Sequence, residues 1–177
     1  MNDDQAYLTD LSTVIYRLQQ QHTLSNLEWD SLVINRRKPH TYRAWTYFDN
    51  IRVCLHRFET CSEEEAFYHP HPWPGAFYVL KGSYKMRVGH ALARKSKPCH
   101  SLTTILNAGA SYSITNPQTW HSVQPLEECW SVMINGQPFP ENKKNIYAPT
   151  TQGKDLEKMT KEQLQSHLNT FQELLNV

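Results

Sequence analysis

Between about residue 40 and residue 136 the chain is cut into short segments rich in aromatic and β-branched residues: "RAWTYF", "IRVCLHRF", "AFYVLKG", "SYKMRVG", "LTTILNAG", "SYSIT" and "CWSVMING". Glycine, proline and asparagine stand between them, where a turn needs a fixed or a positive φ. The spacing suggests antiparallel strands rather than alternating β and α units. An antiparallel sandwich or barrel is expected.

The two ends read differently. Leu8, Leu11, Val14, Ile15 and Leu18 recur at three- and four-residue intervals and make one apolar helical stripe. A second short helix is expected to open at Ser25 or Asn26 and to carry Leu27, Leu32 and Val33. Near the other end Thr160 and Gln163 have the spacing of a capping box. Beyond them Leu164, Leu168, Phe171, Leu174 and Leu175 line a helix of about four turns. His167 falls off that stripe and is expected on the surface. The stretches "GHALARKSKPCHS" and "PFPENKKNIYAPTTQGKD" read as polar loops. The expected organisation is an N-terminal helical extension over 1–39, a β-barrel over 40–140, and a loop with a C-terminal helix over 141–177. Periodicity does not say whether the helices cover the barrel, close a mouth or build a dimer.

A chain of 177 residues can bury a core as one domain. The net charge of +1 gives no electrostatic case for nucleic acid or an anionic membrane. No apolar run is long enough for a membrane span. The acidic start "MNDDQAYLTD" does not read as a signal peptide, which makes the cytoplasm the expected location. Cys54, Cys61, Cys99 and Cys129 form no CxxC pair and are expected to be thiols. Cys99 and His100 are adjacent and point to opposite sides of an extended chain, so they do not mark a nucleophile and its base. The GxSxG, HExxH and phosphate-loop patterns are absent.

The nine histidines carry the functional signal. His69 and His71, in "HPHPWPG", are one residue apart, and in an extended chain both side chains share a face. About fifty residues on, His121 opens another strand-like segment. Three readings stand side by side: a metal site, a polar pocket without metal, or packed core. Three converging imidazoles suit a borderline divalent metal.

The pattern resembles the cupin superfamily, small double-stranded β-barrels of jelly-roll type with two short motifs on facing strands. His69, His71 and Gly82 match the first motif, and Gly109, Pro117 and His121 match the second. The run also looks like a group of small bacterial and phage cupins of unassigned function, which share the His-x-His-Pro-Trp stretch. The resemblance covers about residues 45 to 139. It implies a mainly β fold with His69, His71 and His121 as metal ligands. Iron(II) is the first expectation, with zinc or nickel as alternatives, and the site is like that of three-histidine, cysteine-dioxygenase-like cupins. It also implies a homodimer, since many cupins self-associate through sheet edges. The cupin glutamate position falls on Gly75, and Gln118 stands where a glycine is usual. Glu65, four extended residues ahead of His69, lies about 13 Å away along the chain and does not replace that ligand.

Around the histidines, Phe77 and Val79 are expected on the wall of Gly75, with Tyr78 on the other side. Tyr84 is a candidate catalytic group for moving a proton. Arg57, Trp73, Phe77 and Trp120 are candidate substrate contacts, Arg57 because a charge in an apolar strand must face water, pair, or bind an anion. His56 has the opposite parity, so at most one of the two faces inward. Two functions follow: a metal-dependent, oxygenase-like enzyme acting on a small molecule, or a non-catalytic module that binds a small ligand or a protein.

Overall fold

The computed structural model describes residues 3–20, 24–91, 98–140 and 156–176. Helix α1 (Asp3–Gln20) and a 3-10 turn (Leu24–Asn26) lead into ten strands, and helix α2 (Lys161–Leu175) closes the chain. The strands are β1 (Asp30–Ile34), β2 (Thr41–Phe48), β3 (Ile51–Phe58), β4 (His69–Pro70) and β5 (Gly75–Lys81), then β6 (Ser83–His90), β7 (Cys99–Asn107), β8 (Ser111–Ile114), β9 (Thr119–Pro125) and β10 (Cys129–Asn135). They form a six-stranded sheet in the order β1-β2-β3-β10-β5-β8 and a four-stranded sheet in the order β4-β9-β6-β7. All pairings are antiparallel. This is a mainly β fold of two antiparallel sheets in a jelly-roll arrangement, with a helix at each end.

The expected second helix is a strand instead. Asp30–Ile34 pairs with β2, and only the Leu24–Asn26 turn precedes it. Ser-Leu-Val-Ile is too short for its period to separate helix from strand, and the free edge of β2 decides.

Alternation divides the six-stranded sheet into two faces. Outward, Ala44, Phe48, Val53, Leu55, Ala76, Trp130, Val132 and Ile134 pack on Leu11, Val14 and Leu18 of α1 and on Leu168, Phe171 and Leu175 of α2. Both terminal helices therefore cover the sheet. Each fully buried side chain of this size contributes about 1.5–3 kcal/mol. Helix α2 starts where its sequence indicates: Gln163 N donates to Thr160 Oγ1 (3.2 Å) and Thr160 N to Gln163 Oε1 (2.9 Å). His167 is a correction to the sequence reading. It is 5% exposed, wedged between Trp130 and Phe171, with Nε2 3.3 Å from Leu55 O.

Strand β10 is buried along its whole length, because helices cover one face and the barrel interior the other. Gly82 makes the crossing from β5 to β6, that is, from one sheet to the other, at φ 79°. A Cβ there would meet Glu128 O at 2.5 Å, so the crossing requires glycine. Loop residue Glu63 pairs with Lys85 and Arg87, Arg87 also binds Ala66 O, and Glu65 pairs with Lys38. These contacts hold the loop glutamates in surface ion pairs. No helix among the described residues is long and apolar enough to cross a membrane.

Candidate metal centre

His69 and His121 are direct partners in the β4–β9 ladder, so their side chains leave the sheet on the same face. His71, two residues on, turns to the same side. His71 Nε2 lies 2.8 Å from His121 Nε2, and His121 Nε2 lies 3.1 Å from His69 Nε2. The three are the group among the described residues whose nitrogens converge as a metal site would require. His69 Nδ1 faces Phe67 O at 3.4 Å, which favours a proton on Nδ1 and leaves the Nε2 lone pair toward the other rings. His121 Nδ1 is buried without a partner among the described residues.

Burial holds all three rings neutral. It pushes His71 and His121 well below the ordinary imidazole range, with the neighbouring rings adding to the effect, and lowers His69 to about 4. Three neutral imidazoles with lone pairs turned inward form a donor set that a cation relieves. Metal–nitrogen bonds of about 2.0–2.1 Å at tetrahedral or right angles put the nitrogens about 2.8–3.4 Å apart. Two of the three spacings, 2.8 and 3.1 Å, fall in that range, and all three ligand nitrogens lie within 4.8 Å of one another. A fourth ligand at Gly75 is sterically excluded: a Cβ there would meet Ile134 O at 2.6 Å and Asn135 Oδ1 at 3.2 Å. The missing carboxylate is thus enforced by the β5–β10 contact.

Of the other residues singled out in the sequence, Phe77 is brought to the histidines. Its ring centre is 5.4 Å from that of His71 and 5.9 Å from that of His121, and it stacks on Tyr112 at 4.5 Å. Val79 shares its face and Tyr78 takes the other. Tyr84 is buried and donates to Tyr112 Oη at 3.1 Å, and the Tyr112 ring lies 6.3 Å from His121. Tyr112, not Tyr84, is therefore the phenol whose ring adjoins the histidines. Burial raises both hydroxyls, Tyr84 well above its ordinary range. Trp73 lies in the turn after His71, its indole near Arg52. Trp120 stands next to His121 on β9, so alternation sends it to the other face of that sheet.

Arg57 is not brought to the site. It faces the helix layer over Tyr42 and Trp130, ion-paired to Glu128 at 3.1 Å and Glu59 at 3.5 Å. Its neighbour His56 takes the inward position, and the register places Arg43 directly opposite on β2. Arg43 Nε donates to His56 Nε2 at 2.7 Å, and its charge depresses His69 and His71 as well as His56. It has no carboxylate partner among the described residues. A charge in an apolar strand must face water, pair, or bind an anion, and Arg43, legible in "RAWTYF", meets that condition more fully than Arg57. A cavity of 460 Å³ reaches this point, lined by Arg36, Arg37, Arg43, Phe58, Phe67 and His69 among others.

No family model matches the chain, and no curated protein matches it. Solved structures do match. One is the Fe(II) form of HppE with the alternative substrate (S)-1-HPP, 15% identical, covering 60% of this chain and 55% of that one with a TM-score of 0.48. Another is FeII HppE in complex with substrate, form 2, 16% identical over 59% of this chain and 55% of that one, TM-score 0.47. A third is hydroxypropylphosphonic acid epoxidase from S. wedmorenis, 14% identical over 59% and 55%, TM-score 0.46. The chain spans about half the length of these proteins. The metals and substrates named there are theirs.

Proposed function

We propose that the protein is a metal-dependent enzyme in which His69, His71 and His121 hold one divalent first-row ion, iron(II) before zinc or nickel. Its substrate is a small anionic molecule, and oxidation by dioxygen ranks ahead of isomerisation or hydrolysis. The observation that carries this reading is the pair of Nε2 contacts at 2.8 and 3.1 Å among three neutral, inward-facing rings. An ion held by three imidazoles keeps its full +2 charge and supplies Lewis acidity and, for iron, redox capacity.

The chain's own residues supply the rest. Arg43, a cation beside His69 and His71 without a carboxylate partner among the described residues, offers an anchor for an anionic group at the inner end of the cavity. Phe77 and Tyr112 wall off water behind the histidines. Tyr84 acts through Tyr112: its O–H donates to the Tyr112 oxygen and orients that hydroxyl. With no side chain at Gly75, the site has no carboxylate base of its own. A homodimer through an open sheet edge belongs to the same proposal. The edge strand β7 exposes Leu102 and Ile105, 52% and 57%.

The lack of that base favours a second reading, a barrel that binds a small ligand without turning it over. Metal analysis of protein purified without a histidine tag or chelator separates the two. The enzyme reading expects about one metal per chain, with His121→Ala weakening metal affinity by more than about 100-fold, beyond the usual effect of losing an outer-shell partner. Substoichiometric metal, with His121→Ala leaving metal content and ligand affinity unchanged, eliminates it.

A further inference from the structure

At the end of the barrel interior beyond Phe77, three polar atoms are buried without a hydrogen-bond partner among the described residues: Arg52 Nε, Trp73 Nε1 and Asn135 Oδ1. The fold gathers their residues. Asn135 is the register partner of Arg52 on one side and of Gly75 on the other, and Trp73 stands two residues before Gly75. The Arg52 guanidinium lies 4.7 Å from the Trp45 ring centre and 5.9 Å from that of Trp73, so the two indoles hold its plane in place. Orphaned buried polar groups cost free energy unless something outside the chain satisfies them.

Two of these groups are N–H donors, and the third becomes one without moving the chain. Asn135 Nδ2 faces Cys54 Sγ at 3.9 Å. Half a turn of the amide keeps that contact with Cys54 S–H as donor to Oδ1 and turns Nδ2 inward. Burial favours the protonated thiol this requires. The cluster then presents three donors and one cation. Arg52 makes no ion pair among the described residues, and Asp30, an acid that feels its charge, is itself paired with Lys158 at 2.7 Å.

We propose that Arg52, Trp73 and Asn135 form a second polar subsite that takes the carboxylate of a small organic acid, with Trp45 and Trp73 as its aromatic walls. Occupancy does not require the histidines to hold a metal, and the subsite uses other residues than the Arg43 anchor, although the two guanidinium charges act on each other.

The test reads the Trp73 indole N–H in ¹H–¹⁵N spectra of the full chain, assigned through Trp73→Phe. Sodium acetate and sodium benzoate are titrated at constant ionic strength against sodium chloride. The expected result is a saturable shift of that resonance with both carboxylates and none with chloride. Arg52→Gln should abolish the shift, while Arg43→Gln and His121→Ala retain it, which separates this subsite from the metal reading. Asn135→Asp, nearly the same shape with a carboxylate turned on the subsite, should weaken benzoate at least tenfold in protein that keeps its dispersed spectrum. Three results overturn the proposal: no saturable shift, an equal response to chloride, or a resonance that contacts only a long-lived water and ignores both acids.

Discussion

The two faces of the six-stranded sheet are made from alternate residues of the same strands, yet they obey different rules. The outer face meets two helices with aliphatic and aromatic side chains, and the charges near it are paired, as Arg57 is with Glu59 and Glu128. The inner face carries Arg43, Arg52, Cys54, His56 and Asn135 toward the histidines. His56 Nδ1, Arg52 Nε and Asn135 Oδ1 there have no partner among the described residues. One side is built to be stable. The other carries costs that a folded chain tolerates only when the groups have work elsewhere.

The largest effect that probes this difference belongs to the outer face. Phe171 is fully buried, edge-on to Trp130 at 5.1 Å. Phe171→Ala should lower unfolding free energy by about 3–5 kcal/mol, from lost transfer and the cavity left behind. Chemical denaturation measures this, and metal bound per folded chain should not change. A loss of metal in step with stability would mean that the two faces do not act independently.

Next comes a pH effect from the same layer. Burial lowers His167 to about 4, against an unfolded value near 6.5, although its contact to Leu55 O opposes the shift; nearby Arg57 reinforces it. The depressed value means that the unfolded chain binds the extra proton first. His167 therefore contributes stability in full above pH 6.5, and that contribution is lost as pH falls through 4. The lost contribution is up to about 3 kcal/mol. The barrel histidines share the direction, so the quantity to measure is the difference between wild type and His167→Gln across that window. A flat difference would show that His167 is free to protonate in the folded state.

How much of this was legible depends on whether a residue's neighbour lies close in sequence. The segment "IRVCLHRF" is β3 to the residue, the capping box stands at Thr160, and the parity of Phe77 against Tyr78 holds. Each follows from a local period or a local bond. His167 was misplaced because a helical stripe counts only apolar letters, while Trp130 and Leu55 O, far away in sequence, bury it. The β1 segment reads as helix in the sequence because the partner that makes it a strand is the edge of β2. The convergence of His69 and His121 was inferred through resemblance, and register, which a single sequence does not display, is what places them opposite each other. Of the stretch 89–101, expected to be a loop, Gly89 and His90 belong to β6 and Cys99, His100 and Ser101 to β7, while 92–97 and the stretch 141–155 lie outside the described residues.

The smallest effect sharpens the comparison most, because it applies one substitution to both faces. Arg57 is about a third exposed and its acidic partners are more so, which makes its ion pairs worth no more than about 1 kcal/mol. Arg57→Gln should cost at most that and leave anion binding at the barrel unchanged. Arg43 is a desolvated cation without an acid, so Arg43→Gln should leave stability unchanged or raise it by about 1 kcal/mol. The amide of glutamine can still donate to His56. Affinity for a small anion at the histidine cavity should fall instead. Denaturation, and calorimetric titration with acetate in an Arg52→Gln background that removes the second subsite, run on both variants, decide the matter. If Arg43→Gln destabilises the chain and binds acetate as before, that arginine is a structural strut, and the two faces differ only in polarity, not in purpose.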